Sequence, residues 1–242
     1  MTTTATAKAP SVWEDLVDIF ISPSQVFARR MGRGVFFVPF LVFVILSGVL
    51  MVGTKPLVQP VYDAVEAQQE AAARKARPDV TEEQLAQIRR FNDKFAVVFA
   101  IIAVAFAVVL TGLALWLVGK LFDSQQTAGD AMMVSAYSFL PKLLAFVAAA
   151  VIGLLRDPAS LTSPFSISLG VGFFLNNANS SPLTQALLGR VEVFTIWVTV
   201  LLAIGLHVTG RVPKKQAYIA AAIVWVLGAV PGVLGALRQM GG

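Results

Sequence analysis

Five runs of apolar residues dominate this sequence, and each is long enough to cross a membrane as a helix. The hydrocarbon core of a bilayer requires about 20 predominantly apolar residues in helical form. Mean hydropathy is +0.75, and only 14% of the residues are charged, whereas soluble domains average about 25%. We therefore predict a single all-α integral membrane domain rather than a water-soluble enzyme. The predicted spans are residues 35–53, 95–118, 131–155, 191–210 and 218–237.

Few residues in the chain are suited to catalysis. It has no cysteine and one histidine, His207, which excludes disulfides and thiolate metal sites and argues against a Ser–His triad. Neither the HExxH pattern of zinc proteases nor the GxSxG pattern of serine hydrolases occurs. We therefore expect a non-enzymatic protein without a cofactor.

The net charge of +5 is carried mostly by basic residues between the apolar runs. Such clusters favour anionic lipid headgroups, rather than nucleic acid, as the partner. The candidate headgroup contacts are Arg29, Arg30 and Arg33 before the first span and Lys214 and Lys215 before the fifth. An alternative is that the arginine cluster serves only as an orientation signal.

Residues 1–34 are expected to form short helices at the cytoplasmic side of the membrane. Residues 1–10 are rich in Thr and Ala, with a single Lys8, and lack the features of a signal peptide. Ser11 and Glu14 have the spacing of a capping box. The helix that they open has an apolar stripe of Val12, Trp13, Leu16, Val17 and Phe20, with Glu14, Asp15 and Asp18 predicted to face away. It could lie in the membrane interface or dock against the protein's own loops.

The loop of residues 54–94 is predicted to form a helical hairpin outside the bilayer. Residues 59–77 form the first arm, and Pro78 interrupts it. Thr81 opens the second arm, which carries Leu85, Ile88 and Phe91 on one face and continues into the second span. The loop could be merely solvated, or it could be a docking surface for a partner. In the outer loop, 156–190, the apolar stretch 165–175 is too short to span and is expected to be interfacial or re-entrant.

Five spans place the two termini on opposite faces, and basic residues in short loops set the orientation. Arg29, Arg30 and Arg33 precede the first span, which favours a cytoplasmic N-terminus. The loop 54–94 counts against this, because it carries seven basic residues, although seven acidic ones balance them. The Ala/Val-rich composition suggests a bacterial inner membrane.

Lys142 is the most informative single residue, because it lies about 16 Å inside the third span at 1.5 Å per residue. Ionisable groups at that depth are functional candidates. Pro141 precedes it and is expected to bend the helix, while Tyr137, Ser135 and Ser138 could supply oxygen atoms. Alternatively, the Lys142 side chain snorkels to the headgroups. Glu192 could pair locally with Arg190 or cap a helix, or it could be the counter-ion of Lys142.

Three local patterns, taken in order with the span count, resemble the Yip family of five-span membrane proteins. The first is Ser22-Pro23-Ser24-Gln25-Val26-Phe27. The second is the segment from Ala131 through Tyr137 to Pro141. The third is Val193-Phe194-Thr195-Ile196-Trp197, which is followed by the basic loop at Lys214 and Lys215. The resemblance covers nearly the whole chain and is strongest to the short prokaryotic members, whose function is generally unassigned. It implies a five-span fold and supplies no catalytic residues.

The sequence is compatible with three functions. The first is a scaffold or accessory subunit in membrane transport or membrane organisation, bound to a protein partner or to copies of itself. The second is a small transporter, channel or lipid-handling protein that uses the Lys142 region. The third, an intramembrane hydrolase with a Ser–Lys dyad, has the least support.

Overall fold

A computed structural model describes residues 11–77, 79–174 and 180–241, and these ranges contain helices but no strands. The predictions for residues 1–10, for Pro78 and for Leu175 lie outside the described residues. The helices are α1 (Val12–Ile21), α2 (Pro23–Arg30), α3 (Phe37–Thr54), α4 (Gln59–Ala76), α5 (Glu82–Lys120), α6 (Ala128–Phe139), α7 (Lys142–Leu155), α8 (Pro182–Leu188), α9 (Val193–Gly210), α10 (Lys214–Leu227) and α11 (Val230–Gly241).

Five helical segments in the described part of the chain are long and apolar enough to cross a membrane, which confirms the all-α, five-span prediction. They are Phe37–Lys75, Lys94–Lys120, Ala128–Leu155, Val193–Gly210 and Lys214–Arg238.

The first of these segments contains α3 and α4 with a 3₁₀ helix, Lys55–Val58, between them. The third and fifth segments are each broken into two helices. The third is interrupted between Phe139 and Lys142, where Pro141 has no backbone N–H to donate. The fifth is interrupted at Gly228 and Ala229, and Pro231 then occupies the first turn of α11, where a missing N–H costs nothing. Non-helical backbone at membrane depth is tolerated only where protein or a cavity surrounds it, so the two breaks indicate where a site could be.

The buried core is centred on α6. Nine of its twelve residues are buried, and it packs against α3, α5 and α9. The close approach to α9 depends on Gly205, because a Cβ atom there would overlap the Cγ atoms of Val134. Ile19, Val26 and Phe27 of the N-terminal helices are fully buried in the same core, so α1 and α2 are integral parts of the bundle.

The N-terminal helix differs from its predicted orientation. The predicted capping box of Ser11 and Glu14 is confirmed. Asp15, which the sequence predicts on the face opposite the apolar stripe, is fully buried, whereas Trp13 and Val17 of that stripe are exposed. The burial of Asp15 is possible because basic side chains of α2 neutralise its carboxylate.

The predicted hairpin has two helical arms, α4 and the first part of α5. Thr81 caps α5 together with Gln84. Helix α5 then runs without interruption for 39 residues, so the second arm of the hairpin continues into the second candidate span, as predicted. Leu85 is buried between the arms, whereas Ile88 and Phe91 remain about half exposed. The outer apolar stretch contains two short 3₁₀ helices, Pro164–Ile167 and Val171–Phe174, the first of which packs on α7.

Candidate functional site

The break before α7 positions the side chain of Lys142. Because α6 ends at Phe139 and α7 starts at Lys142, the lysine lies at a helix start within the third span. Its Nζ atom donates a hydrogen bond to Thr195 Oγ1 at 2.9 Å and lies 3.7 Å from Glu192 Oε2. Lys142 therefore has an acidic counter-ion and a hydroxyl partner, both supplied by the start of α9.

Glu192 combines two of the roles that its sequence position allowed. Its carboxylate accepts the backbone N–H groups of Phe194 and Thr195 at 3.0 and 2.9 Å, which caps α9. The same Oε2 atom accepts the hydroxyl of Thr195 at 2.9 Å and faces Lys142. A helix N-terminus and an ammonium group both interact favourably with a carboxylate, so Glu192 links the start of α9 to Lys142.

Arg190 is the second cation of this region, and its sequence position indicates only that it neighbours Glu192. Its Nη2 atom donates to the backbone oxygen of Trp225 at 3.0 Å, and its guanidinium carbon lies 5.7 Å from the centre of the Trp225 ring. A Cβ atom at Gly228 would come within 2.7 Å of Nη2, so the glycine at the break of the fifth span makes room for the guanidinium. The Gly228–Pro231 break is the sequence signal that could have indicated this contact.

A cavity of about 730 Å³ lies between these groups and the helix faces of α5, α9 and α10. Lys142 and Arg190 are the charged residues that line it, and both are cations. The remaining wall is mostly apolar and includes Ala107, Leu110 and Leu202. An apolar cavity of this size with a few convergent polar groups has the usual form of a small-molecule site. Within the described ranges, no cluster of three or more His, Asp or Glu side chains could hold a metal ion.

Comparison with known proteins agrees with this architecture. The family model of the Yip1 domain matches residues 17–235. This chain belongs to the Yip1 domain family. It is 28% identical over 213 residues to the membrane protein YknW of Bacillus subtilis (strain 168). The matched region covers 87% of this chain and 84% of that protein. The match to a bacterial member supports the resemblance to short prokaryotic Yip proteins. No solved structure matches the chain.

In this Yip1 domain, Tyr137 lies away from Lys142. Its hydroxyl faces Asp15 Oδ2 at 3.4 Å, and the ring is fully buried against the N-terminal helices. Ser135 is also used elsewhere, because it donates to the backbone oxygen of Val108 at 2.7 Å. The oxygen atoms around Lys142 therefore come from Thr195 and Glu192 of α9 rather than from α6.

An ionic cluster of α1 and α2 side chains lies next to the core, beside Tyr137 of α6. Arg29 Nε donates to Asp15 Oδ1 at 2.6 Å and Arg29 Nη2 pairs with Asp18, while Arg30 Nε pairs with Asp15 Oδ2. Burial alone would lower the pKa of Arg29, but hydrogen bonds to Asp18 and Asp15 raise it above its ordinary value. Nearby, Phe20 of α1 stacks edge-on against Trp197 of α9 at 5.8 Å between ring centres.

The remaining basic candidates lie at the opposite end of the bundle from Arg190. The backbone N–H of Gly32 donates to Asp130 Oδ1 at 2.7 Å, which ties the loop after α2 to the start of α6. Arg33, Lys214 and Lys215 are exposed, and their contact with lipid headgroups stays a prediction. His207, near the end of α9, has its Nδ1 atom 2.7 Å from the backbone oxygen of Val212, a contact that stabilises the turn between α9 and α10.

Proposed function

We propose that this protein is a non-enzymatic membrane scaffold or accessory subunit that binds a second integral membrane protein. The observation that carries the proposal is the helical hairpin, which leaves Ile88 and Phe91 exposed by 48% and 53% just outside the second candidate span. Inside a bilayer, exposed apolar side chains contact lipid. Beyond it, they favour contact with another protein.

Ion pairs between the arms give the hairpin a defined shape. Arg89 on α5 pairs with Glu70 on α4 at 2.7 Å, and Arg74 pairs with Glu82 at 2.6 Å near the turn. Each exposed pair adds little stability by itself, but together with the buried Leu85 they set the relative position of the two arms. A docking surface with a fixed shape loses less conformational entropy when it binds.

The class of partner follows from the continuity of α5. Phe91 and Phe99 stack through Phe95, with ring centres 4.9 and 6.2 Å apart in the two successive contacts. Further along the same helix, Phe106 and Leu110 are exposed. Because this apolar surface passes from the hairpin into the span without a gap, a partner that covers Phe91 and Phe99 together must itself lie in the membrane.

The test is a purification in mild detergent of the doubly substituted Ile88→Gln, Phe91→Gln protein, compared with Gln87→Ala, which changes an exposed residue on the same arm. A photoreactive residue at Ile88 should crosslink a stoichiometric membrane protein, and the double variant should lose that protein while the Gln87→Ala control retains it. Equal recovery of the partner with the unsubstituted protein, the double variant and the Gln87→Ala control, with no crosslink from position 88, would exclude the hairpin as the docking surface. A crosslink between two copies of the chain would identify the partner as the protein itself.

We place the protein in the bacterial inner membrane with a cytoplasmic N-terminus. Support comes from the basic residues at the end of the bundle that carries Arg33, Lys214 and Lys215, since cytoplasmic loops are enriched in such residues. Under this orientation the hairpin and the cavity lie toward the outer leaflet.

A second candidate function is lipid handling through the Lys142 region, and the cavity favours it over a channel. The cavity wall is mostly apolar, whereas an ion or water pathway requires polar lining groups. Substitution Lys142→Met should abolish lipid transfer between vesicles without unfolding the protein. A transfer rate equal to that of the unsubstituted protein would remove this candidate.

A further inference from the structure

The charges at the cavity do not balance among the described residues. Lys142 is matched by Glu192 at 3.7 Å, but none of the described carboxylates forms an ion pair with Arg190. Within the described ranges, the guanidinium of Arg190 donates one hydrogen bond, to the backbone oxygen of Trp225. The polar end of the cavity therefore carries one excess positive charge. Arg190 is partly buried, and an unmatched cation that is partly removed from water is unfavourable, so a bound anion would remove the imbalance.

Two hydrogen-bond donors at the polar end of the cavity have no acceptor among the described residues. The Nε atom of Arg190 and the indole Nε1 atom of Trp225 are both buried without a partner, and both residues line the cavity. In contrast, the Thr195 hydroxyl is already used, because it donates to Glu192 and accepts from Lys142. Buried donors nearly always have a partner, so a ligand that suits this end of the cavity would supply oxygen acceptors.

The apolar end of the cavity determines the chemical nature of the rest of the ligand. Phe106 and Leu110 of α5 and Leu227 of α10 line it and are 62%, 56% and 46% exposed. All three belong to candidate membrane spans, where exposed side chains face lipid. The cavity therefore opens sideways into the hydrocarbon region, and an acyl chain can enter between α5 and α10 without crossing water.

We propose that this cavity binds one anionic amphiphile, with its oxyanion at Arg190 and Trp225 and its acyl chain along α5 and α9. Phosphate and carboxylate oxyanions both fit the forked guanidinium donors, so a phospholipid and a free fatty acid share the required chemistry. The net positive charge disfavours a zwitterionic headgroup, in which a fixed cation would face Arg190. This inference rests on the lipid-handling candidate and is independent of the hairpin partner.

The experiment is native mass spectrometry of the purified full-length protein in detergent, with phosphatidylglycerol, phosphatidylcholine of the same acyl chains, or oleate added. We expect one phosphatidylglycerol per chain, retained at least fivefold over phosphatidylcholine. Arg190→Gln should reduce that preference to near unity, while Lys215→Gln, which removes an exposed cation at the far end, should leave it unchanged. Displacement of phosphatidylglycerol by oleate would assign the site to fatty acids, and its failure would assign it to phospholipids.

A second pair of variants tests the acyl-chain part without altering charge. Ala107 lines the cavity, so Ala107→Trp should fill it and reduce binding at least fivefold; Ala222→Trp, at an exposed alanine outside the cavity on α10, should have no effect. Equal retention of the anionic and zwitterionic lipids, or equal binding by the Ala107 and Ala222 variants, would overturn the proposal. Because binding is measured without transfer, tight binding with no vesicle-to-vesicle transfer would retain this site and reject lipid handling.

Discussion

The hydroxyl of Tyr137 on α6 lies 3.4 Å from the carboxylate of Asp15 on α1, and both residues are fully buried. Asp15 is also bound by Arg29 and Arg30 of α2. A central membrane helix is thereby joined to two helices that precede the first span. The acidic residue of α1 is thus an internal anchor, which explains how a helix with several acidic groups can belong to a membrane protein.

Asp15→Ala should destabilise the protein by about 3–5 kcal/mol, because it leaves two arginines next to the core without their shared counter-ion. Tyr137→Phe removes one hydrogen bond and should cost only about 0.5–1.5 kcal/mol. Thermal unfolding in detergent, followed by circular dichroism, measures both effects. Asp79→Asn, at an exposed position, is the control and should unfold like the unsubstituted protein. A mild effect of Asp15→Ala would mean that the cluster does not hold α1 in place.

Gly205→Ala should lower stability, because the added Cβ atom would overlap the Val134 side chain where α9 crosses α6. Overpacking of this kind costs about 1–3 kcal/mol. Adding Val134→Ala should recover part of that loss, since it removes the atoms that clash. A double-mutant cycle measured by thermal unfolding gives the coupling energy. Strictly additive effects of the two substitutions would contradict the close contact of the helices.

Glu192→Ala should be more harmful than Lys142→Met. Loss of Glu192 removes the cap of α9 and leaves Lys142 without its counter-ion, whereas loss of Lys142 leaves Glu192 bound by two backbone N–H groups and the Thr195 hydroxyl. Helix caps alone contribute about 0.5–2 kcal/mol. The melting temperatures of the two single variants and of the double variant in detergent test this order. If Lys142→Met substantially rescued Glu192→Ala, the unpaired lysine would be the dominant cost.

Single-cysteine labelling can determine the orientation directly, because the natural chain has no cysteine. Gln216→Cys and Glu83→Cys both replace exposed residues, one next to the basic lysines and one in the hairpin. With a cytoplasmic N-terminus, a membrane-impermeant maleimide should label only Glu83→Cys in intact cells and both variants after lysis. Labelling of Gln216→Cys in intact cells would reverse the proposed orientation.

The span count and the continuous second arm of the hairpin could be predicted because they depend on local composition. Long apolar runs dictate membrane helices, and Thr81 with Gln84 marks the start of α5 from neighbouring residues alone. The capping box of Ser11 and Glu14 was predictable for the same reason. Pro141 likewise indicated the break of the third span, since the effect of a missing backbone N–H is local.

The contacts of individual side chains depend on packing between distant segments, so the sequence left them open. Tyr137 and Lys142 are five positions apart, yet one faces α1 and the other faces α9. The choice between the roles of Glu192 could not be made without knowing that α9 starts beside the break before α7. The contact of Arg190 with the backbone oxygen of Trp225 was not predicted, because Gly228 and Pro231 mark a break in the fifth span without showing which distant side chain reaches the backbone there.

The uninterrupted helix α5 also determines how far the hairpin extends from the second candidate span. Its 39 residues correspond to roughly 58 Å at 1.5 Å per residue, about twice the hydrocarbon thickness of a bilayer. Under the proposed topology, the part from Glu82 to Asp93 extends about 18 Å beyond the start of the second candidate span as continuous helix. A protein bound at the tip of the hairpin would be kept at a constant distance from the membrane surface. Lengthening the arm by whole helical turns would increase that distance in steps, and it would change the direction in which the docking surface faces only slightly.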